Sequence, residues 1–184
     1  MKDVYLPLES QRRLLGLSRR ALAEFVLHVE RQSERMDDPH LQSREFGAFV
    51  SLHKEEELRG CIGSCAPNTP LFKTVTEMTE AAASRDRRVT PISGKELTEI
   101  RIDITVLSPL QTVEDPLTLE VGRHGLQIAC GGKRGVLLPQ IAPRYRWDIK
   151  TFLEQTCVKA GLRKHAWTEP NTRVSSFTAL VIEE

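Results

Sequence analysis

The chain has 184 residues, with 26 Lys and Arg against 25 Asp and Glu, a net charge of +1, 40% hydrophobic residues and four cysteines. A chain of this length buries roughly 70% of its unfolded surface on folding, so its core needs neither disulfide nor metal, and its balanced charges leave no net repulsion to keep it disordered. Near neutrality also excludes bulk electrostatic binding to nucleic acid, which draws on a basic excess, and leaves only a local basic patch for that purpose.

From Ser10 to about Arg31, apolar residues recur close to every 3.6 positions (Leu14, Leu15, Ala21, Leu22, Phe25, Val26, Val29) and predict a helix with one buried face and Ser10 as its N-cap. Phe46, Ala48, Val50 and Leu52 then alternate as a half-buried strand, and the charged run Lys54 to Glu57 predicts a turn into a second strand, Leu58 to Gly63. Thr69 and Pro70 supply a cap and a first-turn proline for a helix to about Ser84, and Ser93 with Glu96 forms a capping-box pattern. Ile100, Ile102, Ile104 and Val106 alternate as a strand. Beyond a turn-rich connector from Ser108 to Gly122, a second hairpin is expected from Gly125 to Pro139, turning at Gly131-Gly132-Lys133. Asp148 caps a helix that Gly161 ends, and a last strand runs from Val174 to Ile182.

Residues 46–107 thus read as strand, turn, strand, helix, strand, and residues 125–182 repeat that order. Both second hairpin strands begin with the same pair, Arg59-Gly60 and Arg134-Gly135. This suggests two duplicated ββαβ repeats in an α+β fold, with one main, largely antiparallel sheet and flanking helices, because tight turns join antiparallel neighbours.

No segment has the apolar length of a secretory leader or a membrane span, so a cytoplasmic protein without membrane attachment is expected, with Cys61, Cys65, Cys130 and Cys157 as thiols. P-loop, hydrolase-elbow and zincin motifs are missing from the sequence. Cys61 and Cys65 have the spacing that opens an iron–sulfur C-x-x-x-C-x-x-C run, but Asn68 stands at the third position, so no iron–sulfur cluster is expected. No metal site is expected either, because the spacing fits no zinc knuckle or ribbon. The most informative segment is Leu58-Arg59-Gly60-Cys61-Ile62-Gly63. Glycines within a strand mark a bulge or a close approach, so Cys61 is either a thiol approached from outside or a small packing residue.

That hexapeptide resembles the signature of the AMMECR-type domain family, whose prokaryotic members are called AmmeMemoRadiSam system protein A. The resemblance continues through Asp86, Arg88, Pro91 and Ile92, with Val89 where phenylalanine is usual. It extends through Leu107-Ser108-Pro109, Gly122 to Leu126, Arg134 to Gln140, Trp147-Asp148, Phe152-Leu153, Lys159 to Leu162 and Trp167, and so covers residues 10–184. Arg144-Tyr145-Arg146 departs from it, standing where the family tends to be acidic. The resemblance implies two unequal lobes with a cleft, no established reaction, and a pathway shared with Memo-like and radical S-adenosylmethionine partners.

On these grounds the expected function is a small-molecule-binding or catalytic component, with Cys61, Asp86 and His124 as catalytic residues and Arg59, Gly60, Gly63 and Arg88 binding a small anionic ligand. His124, between glycines in a turn, is expected near the surface. A non-catalytic adaptor is the first alternative. Nucleic-acid binding through Arg85, Arg87, Arg88, Lys133, Arg134, Arg144 and Arg146 is the second, weakened because no aromatics are interleaved for base stacking.

Overall fold

A computed structural model describes residues 3–30 and 35–184; Met1, Lys2 and the expected helix end at Arg31 lie outside the described residues. The elements of the first half are α1 (Leu8–Val26), α2 (Pro39–Gln42), β1 (Gly47–Lys54), β2 (Glu57–Ser64), α3 (Leu71–Ser84) and β3 (Ile100–Leu107). Those of the second are β4 (Gln111–Thr112), β5 (Gly125–Cys130), β6 (Lys133–Leu137), α4 (Ile141–Arg144), α5 (Ile149–Lys159), β7 (Arg173–Phe177) and β8 (Ala179–Glu183).

The chain forms two compact units of unequal size. The larger comprises Tyr5–Leu107 and Leu180–Glu184, and the smaller comprises Ser108–Ala179 with the residues up to Val4. The fold is α+β, but the single main sheet expected from the sequence is corrected to two four-stranded sheets, ordered β2-β1-β3-β8 and β4-β7-β5-β6. In both, a hairpin is followed by a helix and then by a strand that pairs antiparallel with the hairpin's first strand: β1 lies between β2 and β3, and β5 between β6 and β7.

In the larger unit Ala48, Val50 and Leu52 of β1 pair in register with Val106, Ile104 and Ile102 of β3, and all six are fully buried. Gly60, paired with Leu52, identifies what covers this face, since a Cβ there would lie 2.1 Å from the Ala82 carbonyl oxygen of α3. The other face carries Phe49, Ser51 and His53, as strand alternation requires. In the smaller unit Gly135 has the matching role, with its Cβ position 2.4 Å from the Ala160 nitrogen at the end of α5. There Leu126, Ile128, Phe152, Leu153, Cys157 and Val174 form the core.

Several local expectations are corrected. Ser10 is not the cap of α1: Pro7 takes that place, and the buried Ser10 hydroxyl instead bonds Asp38, the N-cap of α2. The helix ends earlier than its apolar pattern implies, with His28 in the left-handed region (φ 55°) and Val29 exposed. Pro70 rather than Thr69 caps α3. The expected last strand is two strands, because β7 belongs to the smaller sheet and β8 to the larger. The break falls at Thr178, whose N–H donates to Ser108 Oγ at 3.0 Å while its carbonyl accepts the Ser108 N–H at 3.0 Å. Among the described residues no helix is long and apolar enough to cross a membrane.

Candidate functional site

The β1–β2 hairpin turns at Glu55, which adopts a positive φ of 53°. Its register slips beyond the turn, since Leu52 pairs with Gly60 but His53 pairs with Leu58, and Arg59 is the extra residue of a bulge. The bulge breaks the simple alternation that would otherwise put Arg59 and Cys61 on one face. Arg59, with only 11% of its side chain exposed, donates from Nε and Nη2 to Glu96 Oε1 at 3.1 and 2.8 Å. The second oxygen of Glu96 accepts the Ser93 N–H and hydroxyl, both at 2.9 Å, which completes the expected capping box. The Ser93 amide first, then its hydroxyl and Arg59, hold the Glu96 carboxyl down at about 2.

Two residues after the bulge, Cys61 faces away from α3, opposite Ser51. Because β2 is the edge of its sheet, the outward N–H and C=O of Cys61 have no neighbouring strand to pair with. Asp86 and Arg88, on the loop after α3, take that strand's place. Asp86 Oδ2 accepts the Cys61 N–H at 2.9 Å, and Arg88 Nη2 donates to the Cys61 carbonyl at 3.2 Å. The pair is closed on itself by Arg88 Nε and its backbone N–H to Asp86 Oδ1 (2.9 and 3.1 Å) and by Nη2 to Oδ2 (2.6 Å). Asp86 is 6% exposed, and Arg88 foremost holds its carboxyl far below the ordinary carboxylate range. Arg88 is 59% exposed; Asp86 and, to a smaller degree, the Cys61 side chain raise its pKa. A locked cation therefore stands beside the thiol.

The sulfur has a second polar neighbour, Ser51, whose hydroxyl donates to Sγ at 3.2 Å. Ser51 is in turn the register partner of Asp103, so Cys61, Ser51 and Asp103 form one row across β2, β1 and β3. His53 Nε2 lies 3.4 Å from Asp103 Oδ2. Asp103 Oδ1 is buried and accepts no hydrogen bond from the described residues, with only Arg101 Nε nearby at 3.6 Å. Sequence reading missed Ser51, His53 and Asp103 as site residues. Their signal was the polar half of two alternating strands, which becomes meaningful only once the register joins them.

The sequence-expected residues divide accordingly. Cys61, Asp86 and Arg88 are brought together, whereas Arg59 is committed to Glu96. The space beside the two glycines is filled by the protein itself: by Ala82 at Gly60, and at Gly63 by the Phe49 ring, whose Cγ would lie 2.2 Å from a Cβ placed there. His124 belongs to the other unit and is not at the surface, being 8% exposed. Its Nδ1 accepts the Glu120 N–H at 2.9 Å, which leaves the proton of the neutral ring on Nε2. Burial first, and then Arg123, lower its pKa. The described residues contain no group of three or more His, Cys, Asp and Glu side chains arranged to hold a metal.

The AMMECR1 family profile matches residues 15–182. Protein TK0174 of Thermococcus kodakarensis is 38% identical over 181 residues, covering 93% of this chain and 88% of its own length. A protein of Methanothermobacter thermautotrophicus is 35% identical over 190 residues, covering 100% of this chain and 99% of its own. The crystal structure of the uncharacterized protein PH0010 from Pyrococcus horikoshii superposes with a TM-score of 0.86 at 32% identity, covering 98% of this chain and 92% of that one.

Proposed function

The chain belongs to the AMMECR1 family, and on that footing we propose that it is a cytoplasmic small-molecule-binding, catalytic component in which Cys61 is the reactive group and Arg88 holds an anionic part of the ligand. The observation that carries this reading is the Asp86–Arg88 clamp. It fixes a guanidinium against the backbone of Cys61 while leaving Arg88 59% exposed, and so within reach of a ligand oxygen. A planar guanidinium held in this way presents a defined donor edge to a carboxylate or phosphate. Ser51 donates to the sulfur and orients it, and His53 with Asp103 forms a proton-handling pair on the same sheet face. The family resemblance supports Memo-like and radical S-adenosylmethionine proteins as partners, which co-purification from the native host tests.

The test of the site compares alkylation of Cys61 by iodoacetate, an anion, with iodoacetamide, its neutral analogue, using peptide mapping to separate Cys61 from Cys65 and Cys130. A fixed cation beside the thiol is worth about 1 kcal/mol to the anionic reagent, so Arg88→Met lowers the iodoacetate rate roughly fivefold and leaves the iodoacetamide rate within about twofold. Equal effects on the two reagents, or a Cys61 inert to both, overturn the proposal.

A further inference from the structure

The geometry points to a second binding site, in the smaller unit, where Arg134 and Arg173 hold the phosphate of a small ligand above Ala129. Ala129 of β5 pairs with Arg134 of β6 on one side and with Arg173 of β7 on the other. Residues in register share a face, so the two arginines stand on either side of a methyl group. At a strand spacing of roughly 4.8 Å their Cα atoms are about 10 Å apart, close enough for both extended side chains to reach one anion between them. A cavity of about 320 Å³ opens there, lined also by Lys133, Asn171 and the side-chain-free turn Gly131-Gly132.

The charge at this cavity is one-sided. Its lining holds three cations, one amide and no carboxylate, in a chain whose 26 basic and 25 acidic residues otherwise balance. Elsewhere Arg13 is paired with Asp37, Arg123 with Asp3 and Glu120, and Arg163 with Glu169, while Arg85, Arg87, Arg144 and Arg146 are exposed and form no ion pair among the described residues. Arg134 and Arg173 have no ion pair among the described residues. Lys133 alternates to the opposite face of β6, where its Nζ donates to the Gly161 carbonyl at 3.0 Å beyond the end of α5, so the charge facing this space is that of the two arginines. Two guanidiniums facing one space suit a doubly charged, multi-oxygen anion better than a monocarboxylate. The volume suits a small metabolite, and no aromatic side chain lines the space to stack a base, which argues against a nucleic-acid strand. None of these residues belongs to the Cys61 site, so either reading can fail alone.

The test is calorimetric titration of the full chain with pyrophosphate in about 0.15 M KCl, where nonspecific surface attraction is largely screened. Binding below about 1 mM is expected, weakened at least about fivefold by Arg134→Gln or by Arg173→Gln and lost in the double variant. Ala129→Leu, which fills the floor and leaves both charges, also abolishes binding; circular dichroism confirms that each variant is folded. Cys61→Ala binds as the native chain does. No binding up to about 10 mM, or native affinity in the double variant, overturns the proposal. So does an affinity for single-stranded oligonucleotides that rises with their length.

Discussion

At Asp86 one carboxylate performs two tasks, satisfying an edge-strand amide and fixing a cation, so its removal has two separable effects. Asp86→Asn keeps one acceptor for the Cys61 N–H but loses the charge that holds Arg88, and a destabilisation of about 1–3 kcal/mol in urea denaturation is expected. The same variant should lose most of the preference for iodoacetate over iodoacetamide, because Arg88 is then free to swing into solvent. Glu96 behaves similarly within the structural pair: Glu96→Gln keeps the shape of the capping box yet leaves a nearly buried guanidinium without its counter-charge. Its cost, about 1–3 kcal/mol, should appear in stability and leave the alkylation preference of Cys61 unchanged.

Elements pack here through small residues at a few closely spaced crossings, and glycine substitutions distinguish them from ordinary positions. A Cβ at Gly60 or Gly135 would fall 2.1 or 2.4 Å from the backbone of the covering helix, which cannot yield as a side-chain tip can. Gly60→Ala and Gly135→Ala are therefore each expected to cost about 3 kcal/mol or more, read as a lowered urea midpoint. Gly16, inside α1 with nothing within 4 Å of its Cβ position, makes the opposite case: Gly16→Ala should stabilise by about 0.5–1 kcal/mol through helix propensity. Between α1 and α3 a buried hydroxyl pair fixes the contact, Ser18 and Thr79 lying 2.7 Å apart. Because Thr79 donates its proton to the Val75 carbonyl, Ser18 is the donor of that bond. Ser18→Ala leaves Thr79 short of a buried partner and should cost about 1–2 kcal/mol in the same assay.

For the whole molecule, the shifted groups set the course of acid unfolding. His124 has a lowered folded-state pKa, so below about 6.5 the unfolded chain takes up a proton that the folded form refuses, and stability declines as the pH falls from there. Asp86 and Glu96 have depressed carboxyls; their contribution is complete above the ordinary values of 3.8 and 4.5 and is lost as the pH falls through that range towards the folded values, about 2 for Glu96. Stability against pH should therefore show a shallow decline below about 6.5 and a steeper one below about 4.5. His124→Phe should remove the first slope and leave the second. Urea midpoints measured across this range check both.

Much of the local structure was legible in the chain because it depends on short-range chemistry. The alternation of Ile100 to Val106, the capping box of Ser93 and Glu96, the Asp148 cap and the glycine turn at 131–132 all act within a few residues, and all are present. Family membership, too, was readable from ordered motifs. What sequence could not determine was pairing at a distance. A period of two says that Val174 to Ile182 is extended, but hydrogen bonding to two different partners is what splits it at Thr178 into strands of separate sheets. The Arg-Gly pair hinted at equivalent hairpins, yet only packing against Ala82 and Ala160 explains both glycines. In the candidate site, Cys61, Asp86 and Arg88 could be named in advance, but Ser51, His53 and Asp103 could not, since their row exists only through the register of three strands. Nor did sequence reveal that Arg59 would go to Glu96 and leave Arg88 to face the thiol: that choice was made by one bulge residue and by the unpaired edge of β2, both of which are properties of the assembled sheet.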